Sequence, residues 1–342
     1  MILSAKKPTT PRTPFSHPGY LSLWEDEKTQ GLVAAHETTE GRVHYPFLLR
    51  DLRKEPFWRP EVGEAYDIIT PYGYGGPEII PGKEGKEPSP EGKKQLYREF
   101  YAEFRRWAEK NKVVSEFVRF SLSSEARPHY YGKVEHNNDN IVVDLSKDPG
   151  DAWMGFRHKV RKNVLKALSG GLKVHEDPEG QRLDSFLEVY YDTMQRRQAD
   201  SSYFLPAEWF KKLRQKMPGY HMFFHAMQGD KVVASELVLY AQERVFSFLG
   251  GTLDAYYPLR ASDLLKFRIM EWARRNGHKQ FVIGGGHKPH DGIFAFKKSF
   301  APNGVMPFYT GEMIFDEKKY LALCGNRNRR GSFFPEYRAR QA

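Results

Sequence analysis

Residues 245–300 read VFSFLGGTLDAYYPLRASDLLKFRIMEWARRNGHKQFVIGGGHKPHDGIFAFKKSF. An apolar run, Val245 to Leu249, stops at Gly250-Gly251 and reads as a buried strand. Apolar residues at helical spacing follow, and a helix is expected from Ser262 to about Asn276, with Ser262 or Asp263 as its cap. A second strand, Gln280 to Ile283, runs into Gly284-Gly285-Gly286. Then comes His287-Lys-Pro-His-Asp291, and Lys297 and Lys298 between Phe296 and Phe300. Glycine at strand ends lets backbone approach a ligand closely. The triple glycine is no dinucleotide fingerprint, because it follows a strand but opens no helix.

The same order of elements occurs earlier. Strands near Leu32 and Val43 flank the turn at Glu40-Gly41, and strands His221–Met227 and Val232–Tyr240 flank Gln228–Asp230. A third strand, Asp67–Thr70, runs into Pro71-Tyr-Gly-Tyr-Gly-Gly-Pro77. A helix follows from Gln95 to Lys110, with Leu96, Tyr97, Phe100, Tyr101, Phe104 and Trp107 on one face. A strand over Val113–Leu122 comes next, and another from Asn140 closes this half. The helix ends also match: Trp107-Ala-Glu-Lys-Asn111 recurs as Trp272-Ala-Arg-Arg-Asn276. Hairpin, strand, Gly-Gly, helix and strand, occurring twice, read as a duplicated α/β lobe.

Between the copies, Asp151 to Ser169 reads as one helix ending at Gly170-Gly171. Phe156, Val160, Val164 and Leu168 form its apolar stripe. Arg157, His158, Lys159, Arg161, Lys162 and Lys166 make the remainder basic, suited to phosphate. The expected organisation is a flexible proline-rich lead over 1–18, a first lobe over 19–148, the basic helix over 149–171, a second lobe over 172–325 and a basic tail over 326–342.

Composition narrows the function classes. The chain has 342 residues, more than one core usually holds, and a net charge of +10 that favours anionic partners. Its one cysteine, Cys324, excludes a disulfide framework and a zinc site of several thiolates, and fits a reducing cytoplasm. The N-terminus has no apolar signal core, and no window is apolar enough for a membrane span; any membrane contact is expected to be peripheral. No catalytic triad or nucleophile elbow stands out, and the two histidines of 287–291 are read as positioning groups, with no metal assigned.

Four segments in sequence resemble the Fem family of ligases, which move an amino acid from aminoacyl-tRNA to an amine of a peptidoglycan precursor. They are the basic helix from Phe156, the Thr193-x-x-Arg196 element, the strand Phe246-Ser-Phe-Leu-Gly-Gly-Thr252, and the Phe296-Lys-x-x-Phe300 motif. The resemblance implies an α/β fold of two GNAT-like N-acyltransferase lobes. It implies that Lys297 stabilises the charge formed when an amine attacks an ester, and that Glu78, after Gly76-Pro77, is a candidate base. It implies a phosphate-bearing acceptor held by Arg196, with Arg197 beside it, and by Lys28; Tyr72 and Tyr74 of the glycine loop are candidate acceptor contacts. Phe248, Gly250, Gly251 and Thr252, with Arg157 and Arg161, are the candidate donor contacts.

The expected activity is therefore amide-bond formation with aminoacyl-tRNA as co-substrate and no cofactor. A CoA-dependent N-acyltransferase acting on an amino sugar is the alternative. Against it, Tyr257-Pro-Leu-Arg-Ala-Ser-Asp263 lacks the glycine-rich pyrophosphate loop of CoA enzymes, and Asp263 at a helix start would repel phosphate. A non-catalytic RNA-binding protein is the third reading.

Overall fold

The computed structural model describes residues 2–4, 11–82, 85–325 and 333–339. The chain forms two compact units: residues 1–10, 15–137 and 308–342 make the first, and 11–14 with 138–307 the second. The first unit gives way to the second after Asn137, eleven residues before the expected end of the first lobe at 148, because Ile141–Asp144 pairs with Gly284–Gln280 of the second unit. The chain returns to the first unit at Phe308 because Thr310–Ile314 pairs antiparallel with Arg119–Ser115.

In the first unit, strands Thr29–Glu37 and Gly41–Asp51 form the expected hairpin, from Thr29↔Arg50 to Glu37↔Arg42. Tyr66–Ile69 pairs antiparallel with Gly41–Asp51, and Val113–Arg119 lies parallel to Tyr66–Ile69. Parallel strands need a crossover, supplied by the helix Pro90–Lys110. It is a turn longer than expected, since Ser89 Oγ caps it at Gly92 N and Pro90 suits the first helical position. Its Leu96, Tyr97, Phe100, Tyr101 and Phe104 bury against Tyr45, Phe47, Ile68 and Val118.

In the second unit the sheet order is Lys133–Asp144 (from Asn138), Gln280–Gly284, Arg244–Thr252, Lys231–Ala241, His221–Gln228 and Lys173–Asp177. Helices cover both faces. Phe223 and Phe224 point to opposite sides, as neighbours in a strand must. Phe223 meets Phe186 of the helix Leu183–Arg196, and Phe224 meets Trp272 of the helix Ala261–Arg275. Two covered faces explain why this strand is buried from His221 to Met227 rather than at alternate positions.

The Trp-Ala-x-x-Asn match is a shared helix end. Asn111 Nδ2 donates to Trp107 O at 2.8 Å, and Asn276 Nδ2 donates to Trp272 O at 2.8 Å. Each Asn is followed by a left-handed residue, Lys112 (φ 58°) or Gly277 (φ 79°), which ends the helix.

Three expectations need correction. The single basic helix is two: Pro149–Gly155, capped by Asp148 rather than Asp151, and His158–Ser169. Phe156 and Arg157 are extended between them (ψ 147° and 144°). The lead is not without a core contribution: Phe15 is buried edge-on against Tyr20 and Tyr74, while residues 1 and 5–10 lie outside the described residues. In the tail, 326–332 and 340–342 lie outside the described residues, but Tyr337 is fully buried. Its hydroxyl meets Ser115 Oγ at 2.7 Å and donates to Asp67 Oδ2 at 3.1 Å, and Arg338 pairs with Asp67 at 2.6 Å.

Candidate active site

The central strand of the second unit, Arg244–Thr252, runs through both glycines instead of ending at them. Its parallel pairing with Gln280–Gly284 covers Arg244, Val245 and Phe246, whereas its antiparallel pairing runs on to Ala234↔Thr252. The register shifts between Leu237↔Leu249 and Val238↔Ser247, so Phe248 is an extra, bulged residue. A bulge bends its strand and re-aims side chains. Here it falls where the parallel pairing stops.

Both glycines are required by close packing. A Cβ on Gly250 would lie 2.4 Å from Ser235 O and 2.9 Å from Glu236 Cα of the adjacent strand. One on Gly251 would lie 1.9 Å from Thr193 Oγ1 of the helix Leu183–Arg196. Phe248 stacks on Trp209 with centroids 5.9 Å apart. Thr252 is buried, its Oγ1 2.6 Å from Ser262 Oγ.

Lys297 lies on a helix, Gly292–Lys298. Asp291 caps this helix: its carboxylate accepts from the N–H groups of Phe294 (2.8 Å), His287 (2.8 Å) and Lys288 (3.0 Å). Burial alone would raise the Asp291 pKa, but these donors bring it below the usual carboxylate value. Lys297 Nζ donates to Gly285 O at 2.7 Å, and the rings of Phe296 and Phe300 meet edge-on at 5.3 Å. Burial and then the Lys266 charge lower the Lys297 pKa to about 8, against the opposing pull of Glu236 and Asp291.

Glu236, Lys266 and Ser247 form the group that sequence reading missed. Lys266 Nζ donates to Glu236 Oε1 at 2.5 Å and to Ser247 Oγ at 2.8 Å. Lys266 and Glu236 are only 7% and 6% exposed. The available signal was Glu236 within the apolar strand VVASELVLY and Lys266 within the apolar stripe of its helix. A charge at a core position demands a partner of opposite sign.

Arg196 is held in place by several partners, and much of its hydrogen-bonding capacity is already used. It donates to Tyr257 Oη at 2.8 Å, to Thr252 O at 2.9 Å and to Asp192 Oδ2 at 3.3 Å, and lies 4.9 Å from the Tyr257 ring centroid. Arg197 is exposed at the helix end. Arg157 is exposed too; its N–H donates to Ser299 O at 2.9 Å and its carbonyl accepts from Val160 N at 2.9 Å. Arg161 donates to the carbonyls of Met154 (3.0 Å) and Phe156, fastening the break between the two short helices.

Neither expected cap serves the helix Ala261–Arg275. Arg260 stands at its start with φ 62° and no side-chain cap. Asp263 is turned inward, accepting from Asn163 Nδ2 at 3.2 Å, and burial raises its pKa. A serine–histidine–aspartate relay is also present: Ser235 Oγ is 2.8 Å from His225 Nδ1, and His225 Nε2 is 3.2 Å from Asp177 Oδ2. All three are buried, and Asp177 also accepts from the N–H groups of Gln181 and Arg182, so this relay holds the core together.

The remaining candidates lie in the first unit. Lys28 Nζ is 3.5 Å from a Glu55 carboxylate oxygen. Tyr72 is exposed, and its carbonyl accepts from Tyr20 Oη at 2.5 Å. Tyr74 packs edge-on against Phe15 and Phe308 at 5.4 and 5.6 Å. Glu78 opens the strand Glu78–Pro81 opposite His44 and is half-buried. Among the described residues no helix is long and apolar enough to cross a membrane, and no cluster of metal-ligating side chains occurs.

Residues 154–298 match the acetyltransferase (GNAT) domain family, so the second unit carries an acyltransferase domain. No curated protein sequence matches the chain. Among solved structures, FemX shares the fold at TM-score 0.64 and 12% identity, over 92% of this chain and 97% of that one. The C-terminal domain of a putative lysylphosphatidylglycerol synthetase from Agrobacterium fabrum matches at TM-score 0.52 and 13% identity, over 82% and 84% of the two chains. L-PGS from Bacillus licheniformis matches at 0.50 and 14%, over 78% and 80%. The expected Fem-like fold of two GNAT-like lobes is borne out.

Proposed function

We propose that this acyltransferase moves an aminoacyl group from aminoacyl-tRNA to a primary amine of a cell-envelope precursor or related small metabolite, in the cytoplasm. The observation that carries the reading is Lys297, partly buried and held on Gly285 O beside the glycine-rich strand of a GNAT domain. The acceptor amine attacks the ester carbonyl as its proton passes to a base, and the carbonyl oxygen becomes an oxyanion that needs a donor. The oxyanion collapses to the amide as the ester C–O bond breaks and the tRNA ribose oxygen leaves with that proton. Lys297 is the donor in this reading; with its pKa near 8 it is mostly an ammonium at pH 7. Arg196 supplies charge for an acceptor phosphate, and the exposed Arg157, Lys159 and Lys162 supply charge for the tRNA backbone. Glu78 stands as the candidate base.

One observation favours the CoA-dependent alternative. With Asp263 turned inward, the helix Ala261–Arg275 begins without a side-chain cap, so the repulsion expected from Asp263 at an anion site is weakened. Labelled aminoacyl-tRNAs and labelled acetyl-CoA, each supplied with a cell extract, separate the two. Incorporation from acetyl-CoA alone overturns the tRNA reading. Lys297→Ala is expected to lower kcat about 100-fold with little change in KM. Wild-type turnover in that variant removes Lys297 from the chemistry.

A further inference from the structure

We propose that Glu236 and Lys266 are positioning residues for the transfer, their buried ion pair fixing the strand edge at Ser247 and setting the field in which Lys297 works. The inference rests on the reading of Lys297 just given.

The geometry is that of a tie across three strands. Glu236 sits on Lys231–Ala241, opposite Gly250 in the register. Lys266 reaches from the covering helix to Glu236 at 2.5 Å and to Ser247 at 2.8 Å, one residue before the bulge. Its ammonium also lies 5.8 Å from the centroid of Phe281, on the strand that leads to Gly285. Gly285 O is the acceptor that holds Lys297. The pair thus braces both strands where their pairing stops, and Gly250 keeps the backbone of Glu236 in contact. A pair this buried is poor value as a stabiliser, because replacing both charges with apolar groups is often neutral or better. A role in tuning a neighbouring group accounts for its presence.

The charges that bear on Lys297 come from three elements: Lys266 on its helix, Glu236 on its strand, and Asp291 at the cap of the Lys297 helix. The intervening loop adds His287, Lys288 and His290, all exposed to water. Lys266 disfavours the Lys297 ammonium, and Glu236 and Asp291 favour it. The two members of the pair therefore act in opposite directions. Glu236→Gln should make Lys297 lose its proton at lower pH, and Lys266→Met should make it hold the proton to higher pH.

The test labels the full-length protein with acetic anhydride across pH 6–11 and follows acylation of Lys297 by peptide mass spectrometry. It needs no substrate. The wild-type midpoint is expected at about 8. Each variant should move it by about one pH unit, tenfold in proton affinity, downward for Glu236→Gln and upward for Lys266→Met. Glu236→Gln keeps the side-chain shape and decides the matter if Lys266→Met does not fold. The alkaline limb of kcat/KM should move with the labelling midpoint, because the ammonium is the working form, present below the pKa and lost as pH rises through it. Midpoints that stay put, move together in one direction, or move without the kinetic limb overturn the proposal. Wild-type turnover in Lys297→Ala instead overturns the underlying reading, and leaves the labelling midpoints to report on the pair alone.

Discussion

Gly250 and Gly251 are adjacent, yet the structure predicts different costs for adding a methyl group to each. At Gly250 the new Cβ meets main chain, Ser235 O at 2.4 Å and Glu236 Cα at 2.9 Å. Neither atom moves without parting two paired strands. At Gly251 it meets one side chain, with Thr193 Oγ1 at 1.9 Å, Cβ at 2.6 Å and Cγ2 at 3.0 Å. A β-branched residue within a helix has little χ1 freedom with which to turn away. Overpacking of this kind costs about 1–3 kcal/mol, and Gly250→Ala should fall at or above the top of that range. Gly251→Ala should lie within it and be partly relieved by Thr193→Ala, which removes two of the three clashing atoms. Thr193 Oγ1 has no hydrogen-bond partner among the described residues, so its removal breaks no bond. The double mutant should recover about 1 kcal/mol relative to additivity. Urea unfolding of the four proteins measures this, and a unit of this size loses about 2–4 °C in Tm per kcal/mol. Equal tolerance of alanine at the two positions, or no coupling between 251 and 193, refutes the packing argument.

Three further predictions concern other buried polar groups. Glu116 accepts hydrogen bonds from Tyr45, Tyr130 and Tyr131, yet burial still raises its pKa from 4.5 to about 6. The folded state therefore holds this proton more tightly, and about 2 kcal/mol of stability present below pH 4.5 is lost as pH rises through 6. Glu116→Gln lacks that loss, so its stability relative to wild type should improve by up to about 2 kcal/mol between pH 4 and 7.5 in urea unfolding; a pH-independent difference refutes this. Tyr337→Phe removes the hydroxyl shared by Ser115 and Asp67 and should cost about 1–3 kcal/mol, read from the same unfolding curves. Arg196→Ala should raise KM for a phosphate-bearing acceptor and also cost about 1–2 kcal/mol through the lost bonds to Tyr257 and Thr252. An unchanged KM removes Arg196 from acceptor binding.

The duplicated order of elements was legible because its signals are local. Alternation, helical spacing and the Trp-Ala-x-x-Asn helix end each lie within one element, and the Asn caps show why the last is repeated. Lys297 could be found by its aromatic bracket, though not its helix, because seven residues beyond a proline loop give too little periodicity. The break at Phe156 was hidden because neither Phe156 nor Arg157 is a proline or glycine, and it shows in the extended backbone of these two residues and in the Arg161 contacts with two carbonyls. Glu236 and Lys266 lie 30 positions apart, on a strand and a helix whose pairing no local pattern records. The role of Tyr337 and Arg338 depends on a still longer separation, with Asp67 at the far end.

Glu116 of the first unit and Glu236 of the second are both buried glutamates, and they are met by different partners. In the first unit Glu116 is met by three neutral hydroxyls among close-packed aromatic rings, with Tyr101 and Tyr131 at 4.8 Å and Tyr130 and Tyr131 at 4.9 Å. Neutral donors do not offset its desolvation, as its raised pKa records. In the second unit Glu236 is met by a cation at 2.5 Å, and Ser247 to Gly251 all remain partly accessible to water. The central strands differ in the same sense: Tyr66–Ile69 has four residues, whereas Arg244–Thr252 has nine, with a bulge and two glycines past the parallel pairing. One copy of the lobe has filled its interior and uses its polar groups for cohesion. The other keeps a charged, ordered group beneath an accessible strand; in the function proposed above, that fixed field acts on the reacting carbonyl without the cost of reorganising water.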